Sequence, residues 1–158
     1  MQQDFLEIVE RSQAIIYKIC RLYRDRKEDQ EDLFQEIVFQ LWKSWPDFRR
    51  DAKASTWMYR IALNTALAVF RKSSVPLNFE ETIPENLHPA AHEEPSENEQ
   101  RMYEALRKLV PAERAIVSLF LEDYSYKEIG DIIGITENYV GVQMSRIKMK
   151  LKTIVTQN

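Results

Sequence analysis

Between Val75 and Asn98 the chain carries Pro76, Pro84, Pro89 and Pro95, six glutamates, and neither lysine nor arginine. Proline fixes φ and offers no N–H, so prolines this closely spaced leave no room for a helix long enough to repay its own nucleation. The segment should be extended or irregular, and it divides the chain into blocks 1–74 and 99–158, each of which must build its own core. Both blocks read as helical: glycine occurs three times in 158 residues, and 44% hydrophobic content suffices for two small cores. The fold class expected is all-α, two small helical domains joined by a flexible acidic linker.

The net charge of −3 belongs to the tether. Residues 1–74 hold 13 basic and 11 acidic side chains and residues 99–158 hold nine and eight, so each block is slightly basic. Fully extended, the tether spans on the order of 80 Å, and relaxed about 27 Å, which lets the two blocks work at separated places. His88 and His92 lie in it, but without a helix to align them and without further ligands they make no metal site. Cys20 is the single cysteine, which excludes disulfides and Cys-rich zinc sites and fits a reducing interior. Acidic Asp4, Glu7 and Glu10 stand where a secretory leader would be basic, and no apolar run reaches the roughly 18 residues that span a bilayer. A cytoplasmic protein with no membrane insertion of its own is expected.

The C-terminal block contains a helix, a turn and a second helix between Ser125 and Leu151. Ser125-Tyr126-Lys127-Glu128 is a capping box, in which the Ser and Glu side chains satisfy each other's backbone N–H groups. Ile129, Ile132 and Ile133 give the first helix its apolar side, Gly134 suits a left-handed stop, and Thr136 can cap the next helix. Val140, Met144, Ile147, Leu151 and Ile154 recur at steps of three and four and should face inward. The opposite face presents Tyr139, Val142, Gln143, Arg146 and Lys150. Beyond Asn138 there is no Asp or Glu, while Arg146, Lys148, Lys150 and Lys152 are basic. This is the pattern of a helix-turn-helix, and its one-sided charge suits duplex DNA.

In the N-terminal block, Phe5, Ile8, Val9, Ile15, Ile16, Ile19 and Tyr23 mark a first amphipathic helix. A charged turn from Asp25 to Glu31 follows, then a second helix that buries Phe34, Ile37, Val38, Leu41, Trp42 and Trp45 and is ended by Pro46. Its other face carries Asp32, Gln35, Glu36 and Phe39, and an apolar ring among polar groups points to a protein partner. After a polar loop, Asp47 to Ala54, a third helix is expected to be capped near Ser55 or Thr56. Trp57, Arg60, Asn64 and Arg71 share one stripe of it. Rings stack on bases, an amide pairs with a base edge and guanidinium grips phosphate, so the stripe suits unpaired nucleic acid, although Trp57 or Tyr59 taken singly would also serve as packing.

With these residues in view, the chain resembles the extracytoplasmic-function class of bacterial RNA polymerase sigma factors. The resemblance rests on Glu31-Asp32-Leu33-Phe34-Gln35-Glu36 followed by Leu41-Trp42, on Ser55-Thr56-Trp57-Met58-Tyr59-Arg60-Ile61-Ala62-Leu63-Asn64, and on Tyr124 to Ile129 leading to Gly134-Ile135-Thr136. It implies a region 2-like domain over 1–74, a linker over 75–98 and a region 4-like helix-turn-helix domain over 99–158. It further implies that Asp32, Gln35, Glu36 and Phe39 contact core RNA polymerase. Phe48, Arg49, Lys53, Ser55, Trp57, Tyr59, Arg60, Asn64 and Arg71 would then recognise and melt the promoter element about 10 base pairs upstream of the start and hold its non-template strand. Thr136, Glu137, Asn138, Tyr139, Val142, Gln143, Arg146 and Lys150 would read the duplex element about 35 base pairs upstream. An anti-sigma protein would be a further partner. The chain departs from the family at Gly141, Val142 and Gln143, where Lys, Ser and Arg are common, at Ala68 in place of Asp, and at Gly130 in place of Ala.

No Ser/His/Asp set, phosphate-binding Gly loop or metal-ligand cluster is present, so neither enzymatic activity nor a cofactor is expected. The alternative is a stand-alone helix-turn-helix regulator with an N-terminal dimerisation domain, against which the Trp57, Arg60 and Asn64 stripe argues.

Overall fold

The computed structural model describes residues 2–48, 53–71 and 94–156. The part of the tether from 75 to 93, with His88 and His92, lies outside the described residues, as does Arg49. The chain divides into two compact units, Met1–Glu93 and Glu94–Asn158. Among the described residues there are eight α-helices, one 3-10 turn and no strand.

The first unit contains α1 (Gln2–Arg11), α2 (Gln13–Tyr23), α3 (Lys27–Ser44) and α4 (Ala54–Arg71). Helices α2, α3 and α4 pack on one another, and α1 lies against α2. The single first helix expected from periodicity is in fact two. Ser12 leaves helical geometry at φ −117° and ψ 18°, and its N–H is shared between the carbonyls of Ile8 and Val9, so the register of apolar positions survives the break. The charged turn is also shorter than expected. Helix α3 starts at Lys27, with Glu28 and Asp29 in its first turn, where acidic side chains complement the helix dipole. Its apolar face, Leu33, Phe34, Ile37, Val38 and Leu41, is buried with Ile16, Ile19, Cys20 and Leu22 of α2 and Met58, Ala62, Leu63 and Ala66 of α4. Burial pushes the Cys20 thiol pKa up, so it stays protonated and serves as packing. Pro46 stands inside a 3-10 turn, Trp45–Asp47, that ends α3.

The second unit contains α5 (Glu97–Arg107), α6 (Pro111–Leu121), α7 (Tyr126–Ile133) and α8 (Glu137–Thr156). Helix α5 begins inside the stretch read as linker. Ser96 accepts the Glu99 N–H at 3.2 Å, an N-cap that places Glu97 and Asn98 in the helix. Pro111 opens α6, where the missing N–H would have had no partner. Helix α8 packs on α5, α6 and α7, and its Val140, Met144 and Ile147 are buried with Leu119 and Ile129.

Candidate nucleic-acid interface

The helix-turn-helix forms as its sequence dictates. Ser125 Oγ accepts the Glu128 N–H at 3.1 Å and Glu128 Oε1 accepts the Ser125 N–H at 3.0 Å, closing the capping box. Gly134 takes the left-handed conformation at φ 92° and ψ 37°. The N–H groups of Gly134 and Ile135 both donate to the Gly130 carbonyl, at 2.8 and 2.9 Å. This folds the turn back on α7 so tightly that a Cβ on Gly130 would meet the Ile135 carbonyl oxygen at 2.5 Å. Thr136 Oγ1 then accepts the Tyr139 N–H at 3.1 Å and starts α8. With Val140, Met144 and Ile147 turned inward, Tyr139, Val142 and Arg146 are exposed, Gln143 is half-buried, and Glu137 and Asn138 project from the first turn. Leu151 and Ile154 are half-buried, at the margin of the inward face.

The basic face is smaller than the sequence suggests. Lys150, expected among the DNA contacts, turns back to α6, where its Nζ lies 2.7 Å from Glu113 Oε2. Lys148 is drawn the same way, with its ammonium 5.2 Å from the centroid of the Phe120 ring. Two of the four cations on α8 therefore hold the domain together, and Arg146 is the cation that remains on the outward stripe.

In the first unit, Arg60, Asn64 and Arg71 are exposed along α4. Trp57 is half-buried. Its ring lies 4.6 Å from Phe48 and 5.8 Å from Trp45, and Phe48 stacks on Trp45 at 5.5 Å. Phe5 joins the same cluster through Trp42 and Trp45, at 4.9 and 5.6 Å. These rings fix the start of the loop after α3 against the first turn of α4, so Phe48 and Trp57 reach the surface as one aromatic edge. Tyr59 does not join them. At 4% exposure it belongs to the core, because the position two residues from Trp57 points about 200° around the helix. The helix also begins at Ala54, so Ser55 and Thr56 lie within its first turn and do not cap it; Lys53 precedes it, exposed.

On α3, Asp32 is exposed, and Gln35 and Phe39 are half-buried. Glu36 departs from the expected wet face, since only 6% of it is exposed. Burial raises its pKa, opposed by the hydrogen bond that Gln40 Nε2 donates to its Oε1 at 3.2 Å and by the charge of Lys43.

Two residues passed over in the sequence organise the second unit. Arg114 is buried, and its Nε and Nη2 donate to the carbonyls of Leu109 and Arg107 at 2.9 and 2.7 Å, joining the end of α5 to α6. Glu113 accepts the Val110 N–H at 3.1 Å through Oε1 while Oε2 takes Lys150. The first could have been suspected from an Arg at the head of a largely apolar run, Ala115 to Leu121; the second from a Glu three residues past Val110, with Pro111 marking the helix start. Among the described residues no three His, Cys, Asp or Glu side chains gather as metal ligands, and no helix is long and apolar enough to cross a membrane.

Two helical units, one ending in a helix-turn-helix and the other presenting an aromatic edge beside Arg60 and Asn64, define the architecture of the chain. The family models for sigma-70 region 2 and sigma-70 region 4 match residues 8–75 and 99–151. The chain belongs to the sigma-70 family of RNA polymerase sigma factors, in its extracytoplasmic-function class. It is 25% identical to the ECF RNA polymerase sigma factor SigM of Mycobacterium tuberculosis, over 96% of this chain and 76% of that protein. With SigW of Bacillus subtilis it shares 23% over 96% of this chain and 88% of the other. The same fold is seen in CnrH, solved in complex with the cytosolic domain of CnrY (TM-score 0.71, 21% identity, covering 100% of this chain and 91% of that one). It is seen again in RpoE of Bartonella quintana, solved with the anti-sigma factor NepR (TM-score 0.67, 19% identity, 98% and 96% covered). The match of 8–75 to region 2 replaces the alternative of an N-terminal dimerisation domain.

Proposed function

We propose that this sigma factor divides its work between the two units. The first docks on core polymerase through Asp32, Gln35, Glu36 and Phe39 and opens the upstream-10 element with Phe48, Trp57, Arg60, Asn64 and Arg71, assisted by Arg49, Lys53 and Ser55. The second reads the upstream-35 duplex with Thr136 to Tyr139, Val142, Gln143 and Arg146, and the segment ahead of the Ser96 cap tethers the two. The observation that carries this division is the pairing of Phe48 and Trp57 as one aromatic edge beside exposed Asn64 and Arg60. Separated strands need stacking surfaces and an amide, and a domain that only dimerises needs neither. Unstacking a base costs a few kcal/mol, which ring contacts offset. The protein makes and breaks no bond; polymerase supplies the chemistry, and that association places the protein in the cytoplasm. An anti-sigma protein as a partner is supported by the complex in which RpoE was solved.

Run-off transcription with core polymerase on a genomic fragment library tests the whole reading. Asp32→Arg should abolish polymerase binding, whereas Asn64→Ala should spare it and prevent open-complex formation. Loss of both activities in both variants would sink the division of labour.

A further inference from the structure

Helix α8 presents an outward stripe, Tyr139, Val142, Gln143, Arg146 and Met149, each of which has another member three or four residues away. Three of these five are large apolar groups in water: Tyr139 is 51% exposed, Val142 46% and Met149 72%. The cations that would make such a face ionic are engaged by the domain itself, Lys150 by Glu113 at 2.7 Å and Lys148 by the Phe120 ring. Arg146 is the one cation left on this stripe, so most of the groove contacts the stripe can make are not ionic. In the major groove the apolar feature is the thymine methyl, and the donor–acceptor pair that a side-chain amide matches bidentately is adenine N6 and N7. Arginine and lysine, which favour guanine O6 and N7, are missing from positions 142 and 143.

We infer that the upstream duplex element of this sigma factor contains an A·T step read by the second unit, with Val142 against a thymine methyl and Gln143 on an adenine edge. Resting on the proposed role of α8 in duplex reading, this assigns that role a base preference. Arg146, one turn further along, grips the backbone and sets the register. Thr136 and the exposed first turn lie at the end of the helix that enters the groove in helix-turn-helix proteins.

The test uses the full chain in holoenzyme with core polymerase. Duplexes randomised in the upstream region are enriched by holoenzyme binding, and the winning sequence is remade with each thymine replaced in turn by deoxyuridine, which lacks the methyl, and each adenine by 7-deazaadenine, which lacks N7. One deoxyuridine position should weaken wild-type binding several-fold and leave Val142→Ala holoenzyme indifferent. One 7-deazaadenine position should weaken wild type by about tenfold and leave Gln143→Ala indifferent. Enrichment of a duplex whose binding no single replacement alters, or equal losses in wild type and variants, would overturn the inference while leaving duplex reading by α8 intact. Failure to enrich any upstream duplex, with polymerase still bound, would instead overturn the role of α8 and the inference with it.

Discussion

Glu113 and Lys150, 37 residues apart in sequence, meet at 2.7 Å between Oε2 and Nζ, and so join the first turn of α6 to the C-terminal half of α8. Glu113 is nearly inaccessible in its side chain (6%) while Lys150 is half-exposed (52%), so one charge of the pair is buried and depends on the other. Lys150→Met should therefore destabilise the second unit by about 1–2 kcal/mol, and Glu113→Ala by more, because the hydrogen bond to the Val110 N–H is lost too. Salt titration of promoter binding separates this role from a phosphate contact. Lys150→Met should leave the slope of log K against log salt unchanged, and Arg146→Gln should reduce it by about one. A reduced slope in Lys150→Met would return that residue to the DNA face.

The glycines of the second unit should respond oppositely to alanine. A Cβ on Gly130 would stand 2.5 Å from the Ile135 backbone carbonyl, which cannot move without opening the turn, whereas a Cβ on Gly141 would rest 3.7 Å from the Tyr126 ring, at ordinary contact. Gly130→Ala should cost about 1–3 kcal/mol, and Gly141→Ala should gain about 0.5–1 kcal/mol by stiffening α8. Denaturant unfolding of both variants reads the difference directly. Equal destabilisation would show that Gly141 meets a constraint the packing does not contain.

Arg114 closes the end of α5 with two hydrogen bonds to main-chain carbonyls while remaining 8% exposed. Arg114→Met keeps much of the apolar stem and strands those acceptors, a loss of about 2–3 kcal/mol. Hydrogen exchange should report it as faster exchange in α5 and α6 with the amides of α2 to α4 unchanged. Loss of protection across both units would point to a coupling that the contacts of Arg114 do not provide.

What could be read from the residues divides along physical lines. Local signals were sufficient for the helix-turn-helix, since the capping box, the left-handed Gly134 and the inward Val140, Met144 and Ile147 each depend on neighbours within one turn. Amphipathic periodicity likewise located α2, α3 and α4. The residues misjudged were those whose fate depends on contacts between helices. On sequence alone Lys150 reads as a phosphate ligand because nothing in its own helix reveals Glu113, Glu36 reads as part of a wet face, and Tyr59 is placed among the base-reading residues by the resemblance. Gly130, a departure from the family that reads as structural, is so in the fold, where the tightness of this turn makes a Cβ there a clash.

Glu36 offers a test in pH. Its raised pKa comes first from burial, against the lowering effects of Gln40 and Lys43, so the folded chain holds this proton more tightly than the unfolded chain. Below the ordinary Glu value of about 4.3 the group is protonated in both states and costs nothing. As pH climbs through the folded value, the carboxylate ionises in a poorly hydrated place and stability is lost. Glu36→Gln should therefore raise Tm relative to wild type at pH 7, and that advantage should fade as pH falls toward the ordinary Glu value. The polymerase contact proposed above would give this carboxylate a use that its own helix does not. The same variant should then bind core polymerase more weakly although it is the more stable protein. Thermal melts across pH 4–8 together with a core-binding titration measure both quantities. A variant that is more stable at pH 7 and binds with undiminished affinity would remove Glu36 from the docking surface and leave that task to Asp32, Gln35 and Phe39.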